Sequence, residues 1–201
     1  MRAENVALIG GPPGSGKSSV AKSLSLSMNI AHISVGDRIR SIAEGVVVSN
    51  YSESIKLENQ SLQKSKKLPQ NLVCAVIAEA FEQPEVNSNI LLDGYPRSPE
   101  QIEPLIDTFH QIGANALIMV YLHVDREKAI QRMVERGSRS GEVEMDARFA
   151  HERYDSYVES HEGFLTLLAN EMPVEVIDAN ADLEKSIRLA RAALSPVLKR
   201  M

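Results

Sequence analysis

The chain has 201 residues and a mass of 22.1 kDa, with 43% hydrophobic and 24% charged side chains; these values exclude a collagen, a coiled coil or a disordered chain. Lys plus Arg number 22 against 27 Asp plus Glu, a formal charge of −5, so no global basic field favours a nucleic acid and any polyanion must be met locally. No apolar stretch approaches the roughly 20 residues a bilayer needs, and the N-terminal apolar patch is too short for a signal-peptide core, so a cytoplasmic protein without a membrane partner is expected.

Residues 6–9 are a continuous apolar run, the pattern of a strand buried on both faces in a parallel sheet. Directly after it, Gly11-Pro12-Pro13-Gly14-Ser15-Gly16-Lys17-Ser18 matches G-x-x-x-x-G-K-[ST] in full, and the spacing of Val20, Leu24 and Met28 then predicts a helix. Strand, glycine-rich loop and helix together form a phosphate cradle. The glycines let successive backbone N–H groups curl around an anion, and the helix adds the positive end of its dipole. Lys17 is expected against β and γ phosphates, with the Ser18 hydroxyl placed to hold Mg²⁺.

A weaker strand signal covers residues 30–34. Residues 39–68 then show no strand pattern and are rich in Ser, Lys, Glu and Asn, which reads as an inserted helical subdomain. Cys74, the single cysteine, lies in an apolar helical pattern with Leu72, Val73, Val76 and Ile77 and reads as core packing. A second buried strand, residues 90–92, ends in Asp93-Gly94-Tyr95-Pro96-Arg97. A carboxylate at the C-terminal tip of such a strand sits where ligands gather in an open α/β sheet, so Asp93 is the natural outer partner of the metal. Pro96 rigidifies the turn that presents Arg97, whose fork suits a second phosphate.

Residues 116–124 and 174–177 predict two further strands, separated by a helix through Ile130, Met133 and Val134. Arg132 and Arg136, four apart, share a face of that helix. The polar, glycine-flanked stretch 137–142 is expected to be a mobile loop. A closing helix begins near Leu183, capped by Asp182 or Asn180. The sum is a three-layer α/β fold around a central five-stranded parallel sheet.

With these motifs in place, the chain resembles the adenylate kinase family of nucleoside monophosphate kinases, in its short-lid form. The resemblance rests on the phosphate loop, on Ser34-Val35-Gly36-Asp37-Arg38-Ile39-Arg40, on Asp93-Gly94-Tyr95-Pro96-Arg97 and on the region from Arg132 to Tyr157. It implies one domain over 1–201, a monophosphate-binding insertion near 34–69 and a lid near 136–146. It implies transfer of the γ-phosphoryl of MgATP to a nucleoside monophosphate, most simply AMP, by a monomer. Lys17, Arg40, Arg97, Arg136 and Arg153 would be the catalytic cations. ATP would lie against Gly14, Ser15, Gly16, Lys17, Ser18, Ser19, Arg132 and Arg136, with Arg132 near its base. AMP would lie against Val35, Arg40, Gly94, Arg97 and Gln101, with Gln101 on the adenine.

Three positions depart from the family pattern. Glu142 stands where a second lid arginine is usual, with Glu144-Met145 in place of an acidic pair; Arg139 could substitute if the loop bends. Val35 replaces a threonine and loses its hydroxyl. The stretch Ser65-Lys66-Lys67-Leu68-Pro69, which wraps the base in the family, is one residue short. These departures leave UMP, CMP or another small acceptor open, as well as a nucleotide sensor with weakened catalysis. No Asn-Lys-x-Asp string supports a GTPase, and the five histidines lack zinc spacing.

Overall fold

The computed structural model describes residues 5–61, 68–83, 89–140 and 147–198. Strand β1 (Asn5–Gly10) feeds helix α1 (Lys17–Met28), and β2 (Ala31–Ser34) follows. Helices α2 (Val35–Ala43), α3 (Ser52–Ser61) and α4 (Gln70–Phe81) precede β3 (Asn89–Asp93). A 3₁₀ turn (Pro99–Gln101) leads into α5 (Ile102–Ile112), then β4 (Asn115–His123), α6 (Arg126–Ser140), α7 (Ala147–Ser160) and the short α8 (Phe164–Leu168). Strand β5 (Val174–Asp178) and helix α9 (Leu183–Leu194) complete the described chain.

The five strands form one parallel sheet in the order β2-β3-β1-β4-β5. Successive side chains on a strand point to opposite faces, and the core divides accordingly. Val6, Leu8, Ile90 and Leu92 pack with α4 and α5 residues such as Ile77, Leu105 and Phe109, whereas Ala7, Ile9 and Leu91 pack with Val20 and Leu24 of α1 and Ala190 and Leu194 of α9. That split is the three-layer sandwich that continuous apolar strands require. Burying each of the large side chains, Phe109, Leu8 or Leu92 among them, contributes about 1.5–3 kcal/mol.

Two smaller clusters stand apart from the sheet. Ile42 of α2, Ile55 of α3 and Val76 of α4 form one, with Ile39, Val47 and Tyr51 packed around them. Val124, Ala129, Ile130 and Met133 meet Ala150 and Tyr154 of α7 in the other. A bidentate Arg126–Asp155 pair, 2.9 and 2.7 Å, ties α6 to α7. Residues 39–68 therefore hold the end of α2 and the whole of α3, joined by the non-helical stretch 44–51, and pack together against α4.

One expectation fails. Residues 137–140 belong to α6, which runs through Gly137 to Ser140. A glycine inside a helix costs only about 1 kcal/mol relative to alanine, and the apolar face that packs Ile130 and Met133 against α7 sustains the helix past it. The rest of the expected loop, with Glu142, Glu144 and Met145, lies outside the described residues, as do Ser65, Lys66 and Lys67 and the side chain of Arg139. The cap of α9 is settled as Asp182, whose Oδ1 accepts the Lys185 N–H at 2.7 Å, while Asn180 Oδ1 accepts the Asp125 N–H at 2.9 Å. Cys74 is buried in the core, as expected. No described helix is long and apolar enough to cross a membrane.

Candidate active site

Register places the functional turns on one edge. Ile9 and Ser34 both pair with Asp93, and Gly10 pairs with Tyr121, so the loops after β1, β2, β3 and β4 emerge together. Adjacent strands β1 and β3 then send their chains to opposite faces, β1 into α1 on one side and β3 into α5 on the other. The crevice opened between such diverging loops is the ligand position of an open α/β sheet.

The loop from Gly11 to Lys17 is pressed into this crevice by glycines that nothing else could replace. Gly11 has φ +146°, and a Cβ there would lie 2.6 Å from the Leu122 carbonyl oxygen. Gly14 has φ +82°, and its Cβ would lie 2.3 Å from the Ala129 carbonyl oxygen. The loop thus seats against β4 and α6 and turns directly into α1, behind Gly16 in a left-handed conformation. A cleft of about 490 Å³ opens above it, lined by Gly14, Ser15, Gly16, Lys17, Ser18, Ser19, Arg132 and Arg136. The eight residues expected around ATP thus face one space. Arg132 is held there by its own fork, donating from Nη1 to the Ala179 carbonyl and from Nη2 to the Ala181 carbonyl, both at 3.0 Å.

A second cleft of about 370 Å³ lies on the other side of Lys17, lined by Val35, Gly94, Arg97, Gln101, Arg153 and Tyr157 among others. Arg40, expected here, is not among its lining residues, and its side chain is 67% exposed. A Cβ placed on Gly36 would sit 3.5 Å from Arg40 Nη1 and 3.9 Å from Arg97 Nη2, so the two guanidinium groups flank one point. Arg40 also pairs with Asp37 one helical turn away. Burial works to raise the Asp37 carboxyl, but the Ser34 hydroxyl and the Arg40 guanidinium outweigh it and hold the group below its usual range.

Arg97 is anchored through both its side chain and its backbone. Its Nε donates to the Gly94 carbonyl at 2.6 Å, and its backbone N–H donates to Gln101 Oε1 at 2.8 Å. Gln101 therefore spends its carbonyl oxygen on the turn and presents only its amide NH₂ to a ligand. Lys17 borders both clefts. Burial pushes its ammonium below the usual lysine range, and the Arg97, Arg153 and Arg136 guanidiniums add to the depression while Asp93 opposes it. Three arginines converging on one lysine constitute a site short of negative charge.

Asp93 is 2% exposed. Its Oδ2 lies 3.4 Å from His32 Nε2, and its Oδ1 is buried with no partner among the described residues. An orphaned buried carboxylate oxygen beside a phosphate cradle fits an outer partner of a divalent cation, with Ser18 at the cleft wall supplying a hydroxyl. No group of three His, Cys, Asp or Glu side chains able to hold a metal occurs among the described residues, so a cation here would take most of its shell from phosphate and water.

Several lining residues carry no sequence signal. Ser156, Tyr157 and Ser160 join the second cleft because α7 passes over it, and His32 meets Asp93 through strand pairing. Register pairs His32 with Leu91, and its ring reaches Asp93 diagonally, two residues further along β3. Arg148 makes a surface pair with Glu152 at 3.1 Å and stands outside both clefts.

A parallel sheet with this loop at its carboxyl edge defines an α/β protein of the phosphate-loop class. The sequence model of the family described as adenylate kinase matches residues 9–200, and the chain belongs to that family. It is 26% identical to the adenylate kinase of Thermobifida fusca over 184 residues, 92% of this chain and 95% of the relative. It is 27% identical to that of Parabacteroides distasonis over 150 residues, 75% and 76% of the two chains. The match to the Thermosipho africanus adenylate kinase is 30% identical over 126 residues, 63% of this chain; there and in the Thermosipho melanesiensis match it spans just over half of the relative, 56%.

Proposed function

We propose that the protein transfers the γ-phosphoryl group of MgATP reversibly to a nucleoside monophosphate, with AMP as the preferred acceptor and two ADP as products. The observation that carries this reading is the shared wall: Lys17 lines both clefts, so anions in the two would lie end to end with the lysine between them.

Phosphoryl transfer asks a protein for in-line positioning and for positive charge around the transferred group, with little covalent chemistry. The phosphate-loop amides and Lys17 would hold the donor phosphates, and Arg40 and Arg97 the acceptor phosphate. Arg136 and Arg153 would neutralise charge between them. No side chain is needed as general base, because a phosphate oxygen is already an adequate nucleophile. Mg²⁺, bound through Ser18 and, by way of water, Asp93, would supply charge neutralisation on the donor phosphates. The insertion, residues 34–69, would close over the acceptor and the lid, residues 136–146, over the donor, excluding water and limiting hydrolysis. The Ile42–Ile55–Val76 cluster packs α2 and α3 of the insertion onto α4, and the Ala129–Tyr154 cluster packs the helices on either side of the lid.

A second reading, UMP or CMP as acceptor, is supported by the buried Val35, which offers the base no hydroxyl, and by the Gln101 oxygen already bonded to Arg97. One assay separates the readings: pure protein with MgATP and each monophosphate in turn, with diphosphates quantified. ADP formation dependent on AMP is expected. Diphosphate from UMP or CMP alone would support the second reading, and ATP binding without diphosphate from any acceptor would leave a nucleotide sensor.

A further inference from the structure

His161 follows α7 and lies 64 residues from Arg97, yet its Nδ1 is 3.0 Å from the Arg97 carbonyl oxygen. A carbonyl can only accept, so Nδ1 carries the proton and donates. The ring is fixed by three aromatic neighbours: Tyr121 with centroids 5.0 Å apart and planes at 18°, Tyr157 at 4.8 Å and 25°, and Phe164 at 4.5 Å and 40°. Its Nε2 is buried with no partner among the described residues. Burial lowers the tendency of this imidazole to take a second proton, consistent with a neutral ring.

An aromatic filler would not need nitrogen. A phenyl ring would complete the stack without burying a bare Nε2, so the imidazole is costlier there unless the Nδ1–H bond is useful. What that bond does follows from the other two constraints on Arg97. Gln101 takes its N–H and Gly94 takes its Nε–H; His161 takes its carbonyl. Three anchors on one residue leave only the terminal Nη groups to face the cleft. His161 is also the one anchor of the three outside the Arg97 turn, and it joins that turn to α7, the helix bearing Arg153.

We propose that His161 is a positioning residue: its Nδ1–H holds the Arg97 carbonyl and so aims the Arg97 guanidinium at the acceptor phosphate. The inference rests on the reading that Arg97 grips that phosphate, and its test keeps the two separable. His161→Phe keeps a ring in the stack and removes the donor. His161→Asn removes the ring and keeps a donor near the Nδ1 position.

Hydrogen exchange of the Arg97 Nε–H and backbone N–H, followed by NMR without any substrate, reads the anchoring directly. Exchange in His161→Phe is expected to quicken about five- to tenfold, the scale of one hydrogen bond, with most of the protection returning in His161→Asn. Steady-state kinetics of the same variants should show the KM for AMP rising by a similar factor, about five- to tenfold, with the KM for MgATP within about twofold of wild type. Unchanged exchange in His161→Phe, or equal rises in both KM values, would overturn the proposal. Should His161→Phe not fold, the wild-type ¹⁵N shifts of His161 decide: a neutral ring protonated at Nδ1 is required, and a proton on Nε2 sinks the idea. If wild type forms no diphosphate from any monophosphate, the proposed activity fails while the exchange result still judges the anchor.

Discussion

Lys17 lies where the positive charge of both clefts is concentrated. Its ammonium is depressed by burial and by the Arg97, Arg153 and Arg136 guanidiniums, with Asp93 the opposing charge. A polyanion entering either cleft would relieve that repulsion, so binding energy for an anion would be concentrated at Lys17. Lys17→Met and Arg97→Ala are each expected to lower turnover by about 10²–10³, the scale of one preorganised donor, with unchanged circular dichroism. Near-normal turnover in either would contradict the roles given to them. His161 adds an acid-sensitive element. The groups packed on it are Tyr121, Tyr157, Phe164 and the Arg97 carbonyl, and burial sets its pKa below the unfolded value of about 6.5. The unfolded chain therefore binds this proton more readily. The stability contribution is whole above about pH 6.5 and is lost as pH falls through the lowered folded-state pKa. Thermal melts at pH 7 and pH 5 should show wild type losing more stability than His161→Phe, and parallel losses would show that the ring does not titrate as described.

At the scale of elements, the phosphate loop is defined by close approach. Alanine at Gly14 meets both a positive φ and the Ala129 carbonyl at 2.3 Å. Gly14→Ala is expected to cost more than about 1 kcal/mol of stability and to abolish ATP binding, because the loop must leave its seat on α6. Calorimetry showing wild-type ATP affinity would refute that seat. The cluster of α2, α3 and α4 responds separately. It is small, so Ile55→Ala should cost about 2–4 kcal/mol locally, speeding amide exchange in α2 and α3 while the β1 and β3 amides keep their protection. The KM for AMP should rise more than that for MgATP. A uniform loss of protection across the sheet would show that the insertion and sheet unfold together. The course of α6 past Gly137 carries a lesson of the same scale: a polar, glycine-containing segment reads as loop, but packing of Ile130 and Met133 against α7 decides the helix.

For the whole molecule, a formal charge of −5 coexists with at least five cationic side chains around one crevice. Local concentration of charge, not net charge, would draw a polyanion here. The inner strands β1, β3 and β4 were readable because each is largely apolar on both faces, as a sandwiched parallel sheet demands, whereas the edge strands β2 and β5 carry polar residues such as His32 and Glu175 and leave one side open. The phosphate loop, Asp93 and Arg97 were readable because their spacing is local and each follows a strand end. What could not be read are contacts made by folding: His32 on Asp93 through β2–β3 register, His161 on Arg97 across 64 residues, Gln101 turned back onto Arg97, and Arg132 forked on Ala179 and Ala181. None has a periodicity or fixed spacing, since each depends on where another element arrives. The two clefts share Lys17 as a common wall. Titration with a dinucleoside polyphosphate, adenosines joined by five phosphates, tests that shared wall most directly. One molecule should bind per chain, displaced by excess ATP and by excess AMP alike and greatly weakened in Lys17→Met. Two molecules per chain, or displacement by ATP with AMP without effect, would contradict it.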